Sequence, residues 1–487
     1  MSEKAPLILW VRQELRLQDN PALSAAVARG QPILPLFILD DADAGLWKPG
    51  GASRWWLHHA LTQLDESLRK LGSRLILRSG PAEGVLRAII DESGARALLW
   101  NRRYEPWAVA RDKRIKAEFT AQAIACESFN ANLLAEAWTI KTKTGGPFKV
   151  FTPFWKALRS QIELPAELLA PASLPSVPEA IESDPLASWR LLPHAPNWAG
   201  GFETLWQPGE AGAHQRLDSF LDVALATYPD DRDLPAVAGT SRLSPHLHFG
   251  EIGPRQIWRR AVDAGARMLG DPHAQPVEKF LSEVVWREFA HNLLFQTPDL
   301  PTTPLKPEFA KFRWLEDKAA ETAWQQGLTG YPLVDAGMRE LWTTGWMHNR
   351  VRMIVASFLI KDLLVDWRKG EEWFWDTLVD ADLANNAASW QWVAGSGADA
   401  APFFRIFNPT TQAERFDPKG DYIRKWVPEL QKLPAPLIHA PWKASPLELL
   451  DADIKLGQTY PHPIVDHGFA RERALEELRY CKAGDPV

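Results

Sequence analysis

The chain is poor in cysteine: Cys126 and Cys481 are the two in 487 residues. Two thiols build no disulfide framework, which points to a reducing cytoplasm. Long apolar runs are also missing. No stretch approaches the roughly 18 residues that a membrane span needs. Met1–Leu9 holds no apolar segment long enough for a secretory signal. Positive charge is not in excess either, since the formal net charge is −6. That balance excludes no DNA partner, because binding needs a local basic patch and not a basic total. Several signatures are absent as well. There is no G-x-G-x-x-G turn, and Gly145-Gly146 lacks the G-K-S/T ending of a phosphate loop. No G-x-S-x-G elbow marks a serine hydrolase. Asp41–Gly45 opens like a calcium loop without its closing Glu. His246 and His248 have no evident third ligand, so no metal is expected.

What is present in abundance is tryptophan, 24 residues of it. A chain this rich in indole either stacks on planar ligands or moves electrons. Its organisation is two-part. L-I-L-W-V within Pro6–Leu17, then Pro32–Leu39, Arg74–Leu77 and Ala97–Trp100, read as short buried strands. Helical patterns at Ser53–Leu71 and Glu83–Ser93 lie between them, which predicts a doubly wound parallel α/β sheet. From about Gln161 to Gly212 the sequence turns rich in Ala, Pro, Ser and Gly, as a wrapping connection would. Beyond it helices dominate: Ala213–Thr227, Pro254–Ala264, Pro276–Phe295, Tyr331–Thr344, His348–Leu364 and Glu371–Leu378, with one more near Arg471–Lys482. The expected domains are residues 1–135 (α/β), 136–212 (connection) and 213–482 (all-α).

Four constellations carry chemistry. Glu283, Trp286 and Arg287 share a helical face and can grip a planar heteroaromatic ring; a surface ion pair beside a core indole has the same spacing. In W-M-H-N-R-V-R-M, Asn349, Arg352 and Met353 share a face while Arg350 points elsewhere. The two arginines can serve a phosphate and an internal acid, or simply a solvated helix start. Asp380–Trp392 holds Asp380, Asp382, Asn385, Asn386, Trp390 and Trp392. Buried carboxylates need cations, and Arg352 is a partner for Asp380. The i, i+2 spacing of Trp390 and Trp392 sits awkwardly on a helix. Finally, T-S-R-L-S-P at Thr240–Pro245 offers hydroxyls and N–H groups to an anion, or a plain helix cap.

Together with S-R-W-W-L-H-H-A-L (Ser53–Leu61), V-F-T-P-F-W-K (Val150–Lys156), G-T-S-R-L-S-P-H-L-H-F-G-E-I (Gly239–Ile252), V-W-R-E-F (Val285–Phe289), G-W-M-H-N-R-V-R-M-I-V-A-S-F-L (Gly345–Leu359) and R-I-F-N-P-T-T-Q (Arg405–Gln412), these segments resemble the DNA photolyase/cryptochrome family from Leu7 to about Trp442. The resemblance implies an α/β domain and an all-α domain that binds FAD. It places Tyr228, Thr240, Ser241, Arg242, Leu243 and Ser244 beside the pyrophosphate and ribose. Arg287, Arg352, Asp380 and Asp382 fall beside the flavin, Asn386 faces its N5, and Asn349 lies between cofactor and lesion. Glu283, Trp286, Met353 and Trp392 would line the lesion pocket, with Arg350 and Gln412 on DNA. Trp390, Trp367 and Trp314 match the family's electron-transfer chain.

The activity so implied is light-driven repair of cyclobutane pyrimidine dimers in UV-damaged DNA, by one electron passed to a flipped-out dimer. Photolyases are among the enzymes known to extrude their target from the duplex, and a damaged pair costs less to unstack than a sound one. Members acting on (6-4) photoproducts typically carry His where this chain has Asn349, which favours cyclobutane repair. Signalling members often carry long polar C-terminal extensions, and only 45 residues follow Trp442. A blue-light receptor, or a flavin electron-transfer protein without DNA, are the alternatives. An antenna chromophore is expected, methenyltetrahydrofolate before 8-hydroxy-5-deazaflavin, with Arg12, Arg54 and Glu105 as contacts. The R-Q-E-L-R at Arg12–Arg16 departs from the family's usual R-R-D-L-R. A monomeric cytoplasmic protein is expected.

Overall fold

A computed structural model describes residues 5–175, 177–399 and 404–482. Five strands form one sheet: β1 (Leu7–Val11), β2 (Ile33–Leu39), β3 (Ile76–Ser79), β4 (Ala97–Asn101) and β5 (Ala125–Phe129). Their order is β3-β2-β1-β4-β5 and every pairing is parallel. β1 and β4 are buried at every position, as central strands covered on both faces must be. Strand order reverses between β1 and β4, which opens a crevice at the carboxyl ends of the strands. The sequence reading missed β5. Its A-C-E-S-F carries Glu127 and Ser128 and has no fully buried residue, as suits an edge strand. The third strand also begins two residues later than Arg74, because it is Ile76 and not Arg74 that pairs with Leu36 of β2.

The remaining architecture is helical. Helices Glu210–Val223, Pro254–Ala264, Gln275–Gln296, Pro332–Thr344, Asn349–Ser357, Trp367–Thr377, Leu383–Ala394 and His467–Lys482 carry most of it. The run expected as one helix over His348–Leu364 is two pieces. The α-helix gives way to a π turn at Phe358–Asp362, where buried Lys361 donates to the Arg405 carbonyl and buried Asp362 meets His467. The Phe151–Gln161 helix lies inside the expected connection, yet Phe151, Phe154 and Leu158 pack into the helical core. Further on, Leu174 and Val177 pack against the sheet layers, so the connection wraps the α/β half. Among the described residues no helix is long and apolar enough to cross a membrane.

The two halves are tied by specific contacts. Trp56 Nε1 and Gly209 N donate to Glu251 at 3.0 and 2.8 Å. Gly50 lies so close to Trp375 and Asp376 that a Cβ would sit 2.4 Å from their backbone. Glu288 accepts from Leu134 N at 2.9 Å, hooking the chain leaving β5 onto the Gln275–Gln296 helix.

Candidate functional site

Three long helices and the segments around Tyr228, residues 241–244 and Asp380 converge on a cavity of about 930 Å³. That is near the top of the range for small-molecule sites, about 300–1,000 Å³. Gln275–Gln296 contributes Glu283, Trp286 and Arg287; Asn349–Ser357 contributes Asn349, Arg350, Arg352 and Met353. Leu383–Ala394 and its start contribute Asp382, Asn385, Asn386, Trp390 and Trp392, while Tyr228, Ser241, Leu243, Ser244 and Asp380 complete the wall.

Deep in the cavity sits an ion pair. Arg352 Nη2 donates to both oxygens of Asp380, at 3.1 and 2.8 Å, and Arg352 Nε donates to the Met347 carbonyl at 2.7 Å. Ser244 Oγ donates to Asp380 Oδ2 at 2.6 Å. Asp382 caps its helix by accepting from Asn385 N at 2.9 Å. His291 Nε2 and His248 Nδ1 stand 3.5 and 3.7 Å from its other oxygen. Burial alone would raise the Asp382 carboxyl, but His291, His248 and Arg287 outweigh it and hold the group well below the usual range. Asn386 Nδ2 donates to the Glu371 carbonyl at 3.0 Å, which fixes the amide at the wall.

The mouth is charged. Glu283 pairs with Arg232 and, at 3.3 Å, with Lys279. Arg350 Nη2 donates to Asp233 at 2.7 Å. Trp286 stacks face to face on Phe151, with centroids 3.7 Å apart and planes 6° apart. Trp392 Nε1 donates to the Asp399 carbonyl at 3.2 Å, and Arg405 lies over its ring.

The awkward spacing of Trp390 and Trp392 has a simple resolution. Both are on one α-helix, where two steps turn the side chain by roughly 200°. Trp390 is therefore buried in the core and Trp392 half-buried at the mouth. Trp390 packs on Gly370, one turn into the helix that Trp367 begins; its ring neighbours are Phe374 at 5.0 Å and Trp324 at 6.4 Å. Trp367 shares that apolar cluster, and Trp314 packs at its edge beside Phe312.

Not every anticipated residue meets the cavity. Thr240, Arg242 and Gln412 are outside its lining, as are Trp367 and Trp314. The Arg242 guanidinium instead covers the Trp346 ring, 4.7 Å from its centroid. Gln412 lies on the Pro409–Phe416 helix, whose Phe416 ring supports Arg350 at the mouth. Each of the three antenna candidates has an internal partner: Arg12 pairs with Asp112 at 2.6 Å, Arg54 with Asp41 at 2.5 Å, and Glu105 with Arg103 at 2.5 Å. Burial would raise the Glu105 carboxyl, but Arg103 brings it down to about 2. Sequence reasoning missed Arg232, Asp233, Lys279, Phe151 and His291 as site residues. Lys279 carried a signal, its i, i+4 spacing from Glu283. Arg232 and Asp233 carried none, because their partners are 51 and 117 residues away.

A doubly wound α/β layer set against an all-helical layer that encloses an acid- and arginine-lined cavity defines a two-domain cofactor-binding protein. Comparison with known proteins narrows this. Residues 7–176 match the family model for DNA photolyase, and residues 280–480 match the FAD binding domain of DNA photolyase. A deoxyribodipyrimidine photo-lyase of Agrobacterium fabrum is 51% identical over 471 residues, 97% of either chain. Cryptochrome-1 of Arabidopsis thaliana is 41% identical over 97% of this chain and 70% of its own. The crystal structure of a bacterial class III photolyase from Agrobacterium tumefaciens superposes with a TM-score of 0.95, at 51% identity and 99% coverage of both chains. The chain belongs to the DNA photolyase/cryptochrome family, and its helical half carries that family's FAD-binding domain. The cavity suits such a cofactor. It has the volume, and Arg352, Asp380, Asp382 and the Asn386 amide supply it with a cation, two carboxylates and a neutral hydrogen-bonding group.

Proposed function

We propose that this protein is a light-driven DNA repair enzyme, a deoxyribodipyrimidine photo-lyase acting on cyclobutane pyrimidine dimers. The observation that carries the reading is a single cavity shared by two sets of residues. Arg352, Asp380, Asp382 and Asn386 line its inner part, and Glu283, Trp286, Asn349, Met353 and Trp392 line the rest. Arg352, Asp380, Asp382 and Asn386 would hold a reduced flavin, which would supply under blue light the one electron that cyclobutane opening needs and that afterwards returns.

Everything else falls to the chain's own side chains. Arg352 and Asp380 orient the bound ring and place a fixed cation near it. The Asn386 amide, pinned by the Glu371 carbonyl, offers a neutral contact that neither gives up nor takes a full proton. Ser241, Leu243 and Ser244 border the phosphate side, and Ser244 Oγ donates to Asp380 and so ties that side to the flavin side. Trp286 and Trp392 present indole faces to an extruded dimer, and Glu283 accepts from its base edge. Phe151 backs Trp286, so that wall is rigid before a lesion arrives. Asn349 stands where a proton-donating His would serve a different lesion, which favours the cyclobutane dimer. Arg350 and Gln412 contact the DNA backbone. Trp390, Trp367 and Trp314 form a route by which electrons from the surface restore the reduced cofactor. A folate antenna on the α/β half remains part of the proposal, without a defined pocket.

The decisive experiment uses FAD-loaded protein and ultraviolet-damaged oligothymidine under reducing conditions. Blue light is expected to restore thymine absorbance. Full FAD content and lesion binding without such recovery would replace the reading with that of a blue-light receptor, which the 41% identity to a plant cryptochrome makes the second choice.

A further inference from the structure

The cavity mouth carries an unbroken chain of five charged side chains. Lys279 reaches Glu283 at 3.3 Å, and Glu283 pairs with Arg232. Arg232 Nε lies 3.7 Å from Asp233 Oδ1, and Asp233 Oδ2 accepts from Arg350 Nη2 at 2.7 Å. The Phe416 ring closes the row, 4.5 Å beneath the Arg350 guanidinium. Three cations thus share two carboxylates. Each member keeps some solvent exposure, from 13% for Arg232 to 44% for Lys279. Pairs of this kind are individually weak, so they rearrange readily.

The order of the chain has a consequence. Its first carboxylate, Glu283, is the group assigned to the lesion's base edge. Its last cation, Arg350, is the group assigned to a DNA phosphate. Asp233 stands between them, outside the cavity lining. When undamaged duplex approaches, nothing enters the cavity and Glu283 keeps Arg232. Asp233 then keeps Arg350 as its close partner, and a phosphate must compete with it for that guanidinium. When a dimer enters, its N–H groups take Glu283. Arg232 is released, turns fully to Asp233, and Arg350 becomes free for the phosphate.

We propose that Asp233 is a specificity-determining positioning residue, which withholds Arg350 from the DNA backbone until Glu283 is occupied by the lesion. The inference rests on the lesion-pocket reading above and names the coupling within that site. It is a linkage between two ligand groups through shared counter-ions, reciprocal as any such coupling must be. It runs opposite to the usual expectation for a residue near a binding site. Removing Asp233 should improve binding, and improve it most for the wrong DNA.

The test is a pair of affinities measured in the dark with FAD-loaded protein. One duplex carries a single thymine dimer; the other is the same sequence undamaged. Asp233→Asn is expected to bind the undamaged duplex about fivefold tighter, the upper end of what one part-exposed ion pair can withhold. Affinity for the dimer duplex should stay nearly constant, so discrimination falls by the same factor. The salt slope for undamaged DNA should steepen by about one, the mark of one added phosphate contact. Asp233→Ser should repeat the result should the amide variant fold poorly, and Asp233→Glu should restore discrimination. Equal tightening for both duplexes would reduce Asp233 to a generic repulsive charge and overturn the proposal. So would weaker or unchanged binding of undamaged DNA. A wild-type protein that does not prefer the dimer at all would remove the lesion-pocket reading itself, and the coupling with it.

Discussion

Two polar clusters in this chain are built from the same residue types and come to opposite ends. At the carboxyl ends of β1, β2 and β4, the crevice of the α/β sheet is filled by its own charges. Arg12 pairs with Asp112 at 2.6 Å and donates to the Asn101 carbonyl; Arg111 faces Asp40 at 3.6 Å. Trp10 lies under both Arg12 and Arg111, and Trp107 under Arg103 and Arg111. Its arginines have internal carboxylate partners, while Trp10 Nε1, Arg12 Nε and Trp107 Nε1 are buried without a hydrogen-bond partner among the described residues. In the helical half the same arginines, carboxylates and indoles stand around open space. Arg352 and Asp380 meet at one wall, and Asp382 is left to two histidines at 3.5 and 3.7 Å. His248 Nδ1 makes no hydrogen bond among the described residues. A cluster whose charges pair with one another at close range gives rigidity. A cluster held apart by its backbone gives a binding site, because its remaining lone pairs and protons await a ligand.

The sharpest way to break this contrast is to empty the second cluster. Arg352→Ala leaves Asp380, 3% exposed, without its cation. Stranding a buried carboxylate costs about 3–5 kcal/mol. The purified variant is expected to lose bound FAD absorbance and to melt well below wild type. A yellow variant with full FAD content would show that the pair is no more needed than those of the crevice.

The seam between the clusters gives a pH test. Burial, only partly offset by Arg287 and two backbone N–H groups, pushes the Glu288 carboxyl up to about 7. The folded state therefore holds a proton that the unfolded chain releases near pH 4.5. This contribution to stability is fully present below that lower value and is lost as pH rises through about 7. Its size is of order 3 kcal/mol. Wild type should melt at a lower temperature at pH 8 than at pH 5, and Glu288→Gln should lack that component of the fall. Parallel melting profiles for the two proteins would remove Glu288 from the seam's energetics.

A smaller effect sharpens the comparison inside the helical half. A Cβ on Gly370 would lie 2.1 Å from the Trp390 ring. Gly370→Ala should cost about 1–3 kcal/mol through overpacking and displace the indole. Photoreduction of oxidised FAD should slow while dimer affinity holds. An unchanged rate would place the electron route elsewhere. The smallest effect belongs to the crevice. Arg54 and Asp41 are 22% and 39% exposed, and such a pair contributes about 0–1 kcal/mol. Arg54→Ala should leave melting, FAD content and repair near wild type. Loss of a second chromophore's absorbance in that variant would assign Arg54 to the antenna site on the α/β half.

Much of this could be read from the letters. Central strands such as Leu7–Val11 declare themselves because both faces are buried and every residue is apolar. The edge strand Ala125–Phe129 does not, since half of its surface is wet. Glu283, Trp286 and Arg287 were legible as a set because helical spacing puts them on one face. Thr240 and Arg242 were legible as part of a motif, yet the fold leaves them outside the cavity lining and turns Arg242 onto Trp346.

By itself the sequence determined most of the element types, the two-part architecture and the short-range faces, because period and propensity act over a few residues. Only the tertiary structure decided that Asp380 should also receive Ser244, that Trp286 should lean on Phe151, and that Asp233 should hold Arg350. Those partners are 136, 135 and 117 positions apart in the chain. No periodicity reaches that far. What joins them is the packing of whole helices, whose crossing positions depend on every buried side chain at once.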